Sequence, residues 1–142
     1  MAIDLSGVWR LVAWRRIAGD GEVSYPLGDN ATGTLMYSAS GRMAVQLTAA
    51  GRPKLHTDDP LGGDESERAA AYSTCLAYVG SYVVQGDTVV HTIDQCLYPN
   101  WAGAEQSRPF TYDNGELVLR TPPMVTATGT VVNELAWARE AD

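Results

Sequence analysis

The chain has 142 residues, 45% of them hydrophobic and 19% charged, with 17 acidic against 10 basic side chains and a formal net charge of −7. That size and composition describe one globular domain spanning residues 1–142 and exclude a disordered or fibrous chain. The acidic balance argues against a nucleic-acid partner, and no apolar run approaches the roughly 20 residues of a membrane span.

Residues 1–6 carry neither the basic region nor the apolar core of a secretory signal, so the expected location is cytoplasmic. There Cys75 and Cys96 would stay reduced, as small hydrophobes in or near the core. Residues 7–17 alternate as a strand, with Trp9, Leu11 and Ala13 expected on one face and Arg10 and Arg16 on the other. Ala18-Gly19-Asp20-Gly21 reads as a hairpin turn, followed by a short strand over 22–25 that Pro26 stops. Residues 31–37 and 42–48 make a hairpin across Ser38-Ala39-Ser40-Gly41, with Met43, Val45 and Leu47 on one side.

Residues 49–63 are the one long irregular segment and include His56. Acids ahead of an alanine run then predict a short helix around residues 64–74, which with the preceding loop would form a lid or plug. Strands follow over 76–85, 88–96, 106–112, 117–121 and 130–139, with Asn114-Gly115 a strong hairpin signal. About nine short strands, one helix and no βαβ rhythm make an all-β chain. Hairpin-linked neighbours throughout predict an up-and-down antiparallel β-barrel of about 8–10 strands, closed so that no edge is left to aggregate.

Polar chemistry concentrates between His91 and Arg108. Strand parity turns His91 and Gln95 inward with Val89 and Ile93, and turns Gln106 and Arg108 inward with Phe110. An inward His91 is either an acid or base at neutral pH, or a core histidine satisfied by a carbonyl or a tyrosine. An inward Arg108 needs a partner, which is either a substrate oxyanion or a structural carboxylate. Tyr37, Tyr78 and Tyr82 are either pocket phenols or core fillers, and Trp101 either a mouth residue or a cap. Asn100 and Met43 complete the candidate binding set, in which His91, Arg108 and Tyr82 would be the catalytic groups.

Gly7-Val8-Trp9 on the first strand and Trp137-Ala138-Arg139 on the last resemble the calycin pattern, in which a first-strand tryptophan packs under an arginine of the closing strand. Together with Tyr25-Pro26-Leu27-Gly28, Gly33-Thr34-Leu35-Met36-Tyr37 and the block from Tyr98-Pro99-Asn100-Trp101 to Gln106-Ser107-Arg108, the chain resembles the lipocalin-like domain family of small bacterial and fungal proteins. The resemblance implies a barrel with a central cavity rather than a defined reaction, and some members lie beside secondary-metabolite pathways.

Three functions are compatible with these residues. The first is a cofactor-independent biosynthetic enzyme, a cyclase, isomerase or dehydratase (lyase) of a polyketide-like intermediate, working by holding a flexible chain and stabilising an oxyanion. The second is a non-catalytic intracellular carrier or sensor of a lipophilic ligand, and the third a barrel filled by its own side chains. The expected partner is a hydrophobic small molecule, with no cofactor, no metal, no membrane span, and a homodimer as one open oligomeric state.

Overall fold

Alternation of apolar and polar residues leaves one apolar face per strand, and in the computed structural model, which describes residues 3–140, these faces roll together into a single wall. Strands β1 (Gly7–Ala18), β3 (Thr32–Tyr37), β4 (Arg42–Thr48), β5 (Cys75–Gln85), β6 (Thr88–Cys96), β7 (Glu105–Asp113), β8 (Glu116–Arg120) and β10 (Gly129–Arg139) pair antiparallel in that order. Pairing of β10 with β1 closes the eight-stranded barrel. Two short ribbons, β2 (Val23–Ser24) on β1 and β9 (Met124–Thr126) on β10, extend the wall at one end. The second of these is not signalled by the sequence, because Pro122-Pro123 reads there as a stop.

Because the strands alternate in direction, the connections sort by length. The tight turns at 38–41, 86–87 and 114–115 lie at one end, and the long connections at 19–31, 49–74, 97–104 and 121–128 at the other. Asn114 and Gly115 hold φ of 52° and 77°, the left-handed pair that a two-residue turn of matched twist requires. The turn end is also the floor. Trp9 is fully buried there, its indole N–H donates to the Leu5 carbonyl at 2.9 Å, and the Arg139 guanidinium lies 4.2 Å above its ring while donating to the carbonyls of Asp4 and Ser6. Gly7 has φ of 129°, and a Cβ on it would meet Arg139 Nη1 at 3.0 Å. The Gly-x-Trp pattern is therefore a packing requirement of this floor.

Two bulges change which side chains face inward. In β1 the register against β10 slips at Val12, between Leu11 and Ala13, so Trp14 and Arg16 turn inward where unbroken parity put Arg16 outside. In β6 the register slips at Asp94, opposite Val79 and Gly80. Asp94 leaves the wall and pairs with Arg42 at 2.9 Å, and Gln95 follows it to the outer surface instead of joining His91.

Helix α1 (Glu65–Ser73) begins with a capping box, in which the Asp64 side chain accepts from the Glu67 backbone and Glu67 accepts from the Asp64 backbone. The loop before it is tied down by His56, whose backbone N–H donates to Glu67, and by Arg52, which reaches Ala71 and Thr74. No helix residue is buried and none lines the cavity, so the helix is not a plug: its exposed face is alanine and charge, with no apolar stripe to insert. Among the described residues no helix is long and apolar enough to cross a membrane.

Candidate functional site

Between the packed floor and the loop end the barrel encloses a cavity of about 460 Å³, within the roughly 300–1,000 Å³ typical of small-molecule sites. Its apolar wall comes from Leu35 and Val45, Leu47, Leu76, Leu119 and Leu135, one or two from each of five strands. Trp14, Trp101 and Trp137 add three indole faces, and Pro122, Pro123 and Met124 form part of the mouth. This excludes a barrel filled by its own side chains.

At the deep end His91 is held between two phenols, with Nε2 2.6 Å from the Tyr37 hydroxyl and Nδ1 2.8 Å from that of Tyr78. Burial, reinforced by the nearby Arg108 cation, pushes the His91 pKa down to about 3, so the ring is neutral. A neutral imidazole donates from one nitrogen and accepts at the other. Tyr37 does not line the cavity and has no other hydroxyl partner, so its O–H donates to Nε2. The Nδ1–H then donates to Tyr78, whose own O–H is left for the cavity that Tyr78 lines. Burial raises both phenols, Tyr78 to about 12 and Tyr37 well above the ordinary range, so both stay protonated.

Arg108 and Gln106 share the inward face of β7, as parity requires. Arg108 is only 6% exposed, and its one hydrogen bond runs from Nη1 to the Ser107 carbonyl at 3.1 Å. Among the described residues no carboxylate pairs with it. Desolvation lowers its pKa, opposed by the phenols of Tyr78 and Tyr37, but a guanidinium remains charged at any ordinary pH.

A second polar cluster stands toward the mouth. Asn133 Oδ1 accepts from Trp14 Nε1 at 2.9 Å and from Arg16 Nε at 3.1 Å, which fixes the amide with its NH2 group as the remaining donor. Trp101 sits edge-on to both Tyr78 and Tyr98, with ring centroids 6.1 and 5.5 Å away. The three-residue turn Pro99–Trp101 carries it, and the Pro99 ring starts that turn where no N–H is needed. Trp137, four residues along β10 from Asn133 toward the floor, lines the cavity with a buried indole N–H that has no partner among the described residues.

Of the residues singled out from sequence, Tyr78, His91, Trp101, Gln106 and Arg108 meet in one cavity, and Tyr37 stands behind His91. Tyr82 does not reach it. Its ring packs 4.4 Å from that of Tyr37 in the closed half, and its hydroxyl donates to the Ser38 carbonyl at 2.7 Å. Met43 is buried in that same half, opposite Tyr37 and Gly80. Gln95 faces outward because of the Asp94 bulge, and Asn100 is exposed, donating to the Tyr98 hydroxyl. Trp14, Arg16 and Asn133 were not anticipated. Asn133 follows from parity with Val131 and Leu135, whereas Trp14 and Arg16 are hidden by the Val12 bulge.

The family model described as lipocalin-like domain matches residues 6–140. A curated relative, the 4'-hydroxy-3'-methoxypropiophenone carrier protein ppsC of Aspergillus oryzae, is 32% identical over 106 residues, which is 68% of this chain and 96% of that protein. Among solved structures, an uncharacterized protein from Bacteroides eggerthii aligns over 96% of this chain and 100% of its own at 12% identity and a TM-score of 0.49. A mutant of the fluorescent protein UnaG aligns over 97% of both chains at 15% identity and a TM-score of 0.41. The barrel is able to enclose a hydrophobic small molecule.

Proposed function

This chain belongs to the lipocalin-like domain family, and from that membership we propose that it is a non-catalytic carrier of a small aromatic molecule bearing oxygen at both ends. The observation that carries the reading is the cavity itself: indole faces for an aromatic ring, with donors grouped deep at Tyr78 and Arg108 and again toward the mouth at Asn133 and Arg16. The Aspergillus oryzae relative, named as the carrier of an aryl ketone with phenol and methoxy groups, supports a ligand of that kind. The neutral His91, with both nitrogens bonded to tyrosines, suits a binding wall better than a proton-transfer group.

One observation favours a second reading. Arg108 and the Tyr78 hydroxyl would also stabilise an enolate oxygen, the charge that a cofactor-independent cyclase, isomerase or dehydratase must develop. One experiment covers both. The protein is titrated with 4'-hydroxy-3'-methoxypropiophenone, following indole fluorescence, and the bound compound is recovered for mass spectrometry. A carrier quenches the cavity tryptophans and returns the ketone unaltered. Absence of binding by this ketone and by simpler aryl ketones would end the carrier reading, and a chemically changed product would favour the enzyme.

A further inference from the structure

The cavity of this acidic protein has a cationic lining. Of the charged side chains that line it, Arg16 and Arg108 are both cations, and no aspartate or glutamate is among the lining residues. Glu134, the carboxylate next in sequence to Asn133, points outward and is held by Arg15 and Arg120. The other titratable groups facing Arg108 are Tyr37, Tyr78 and His91, and all three are neutral.

Arg108 is the deepest of these charges. Its guanidinium has five N–H donors, of which the chain uses one. None of its nitrogens is sealed away without a partner, so the others keep surface toward the cavity. Among the described residues no internal carboxylate stands where an incoming anion would have to displace it, and in a largely apolar wall the attraction between guanidinium and anion is weakly screened. Beside it the tyrosine–histidine relay ends in a Tyr78 O–H with no acceptor of its own. At the mouth the Asn133 carbonyl is saturated by two donors, leaving only its NH2 group.

Building on the carrier reading, we infer that the cavity takes its ligand as an anion, a deprotonated acidic phenol or a carboxylate, seated on Arg108 and the Tyr78 hydroxyl. Binding then selects by ionisation state as well as by shape, and a phenol of near-neutral acidity is held as phenolate where free phenol predominates in solution. His91 and Tyr78 titrate far from that range and leave the ligand's own ionisation as the signal.

The probes are para-hydroxypropiophenone, whose phenolate absorbs at longer wavelength than the phenol, and para-methoxypropiophenone, which is larger by one methyl group and has no acidic proton. Titrating the bound phenol by absorbance should show its midpoint lowered by about one pH unit or more, a tenfold preference for the anion. At a pH where the free phenol is half ionised, the methoxy compound should bind at least about fivefold more weakly. Arg108→Met should lose both differences while still binding the methoxy compound. A bound phenol that titrates at or above its free midpoint overturns the inference and leaves the carrier reading standing. Failure of the wild type to bind either ketone removes both. The two-ketone comparison on the wild type decides the matter even if the variant does not fold.

Discussion

The Nε2 atom of His91 lies 2.6 Å from the Tyr37 hydroxyl, and this contact closes the deep end of the cavity with an imidazole that is neutral when folded. The native pKa of about 3 lies below the ordinary 6.5, so between these values the unfolded chain binds a proton that the native state refuses. The contribution is full above about pH 6.5 and is lost as the pH falls toward 3, on the order of 4 kcal/mol over the whole window. Urea unfolding should show the wild type losing about 2 kcal/mol between about pH 6.5 and 5. His91→Gln, though less stable, should be nearly flat over the same range. Asp4 and Asp64, held low by hydrogen bonds from the Ser6 and Glu67 backbones, act only at lower pH. Equal slopes in the two proteins would contradict the assignment.

Arg108 is predicted to serve binding at the expense of stability. Replacing a buried cation that lacks an internal carboxylate by an apolar side chain of similar length removes its desolvation penalty. Arg108→Met should therefore raise the unfolding free energy by about 1–2 kcal/mol in the absence of ligand. A variant that unfolds earlier in denaturant would show that the phenols and the Ser107 carbonyl already compensate the charge.

Gly80 lies on β5 beside the Asp94 bulge of β6, where the two backbones leave no room for a side chain. A Cβ there would fall 1.9 Å from the Thr92 carbonyl oxygen, a backbone atom that has no room to yield. Gly80→Ala should cost about 3 kcal/mol or more, or prevent folding. Gly19→Ala, in a turn with nothing within 4 Å, should be near neutral when both variants are followed by thermal unfolding. Similar melting curves for the two variants would refute the close approach.

Asn133 separates acceptor from donor at the mouth. Asn133→Leu removes the oxygen that satisfies Trp14 and Arg16 and should destabilise the fold by about 1–3 kcal/mol. Asn133→Asp keeps that oxygen and the fold, yet it adds a negative charge and should weaken binding of an anionic ligand about tenfold or more in calorimetry. Undiminished anion binding by the aspartate variant would place the ligand away from the mouth.

The eight barrel strands and their turn positions are legible in the sequence, because each depends on a local pattern such as alternation along one face or Asn114-Gly115 at a turn, whereas the Trp9–Arg139 floor joins residues far apart in the chain and was reached only through the resemblance that Gly7-Val8-Trp9 carries. The inward set on β7 was legible too, since parity along one unbroken strand carries Arg108 and Gln106 together. Parity fails where a strand gains a residue. The bulges at Val12 and Asp94 exist only in the pairing of two strands, and they brought Trp14 and Arg16 into the cavity while sending Gln95 out of it. Which tyrosines touch the cavity was likewise decided by height along the barrel axis. Tyr78 and Tyr82 share a face, but four residues of strand put one in the cavity wall and the other at the floor. Which side chains face inward is written largely along each strand, whereas their depth and the interruptions of that rule are set by partners far away in the chain.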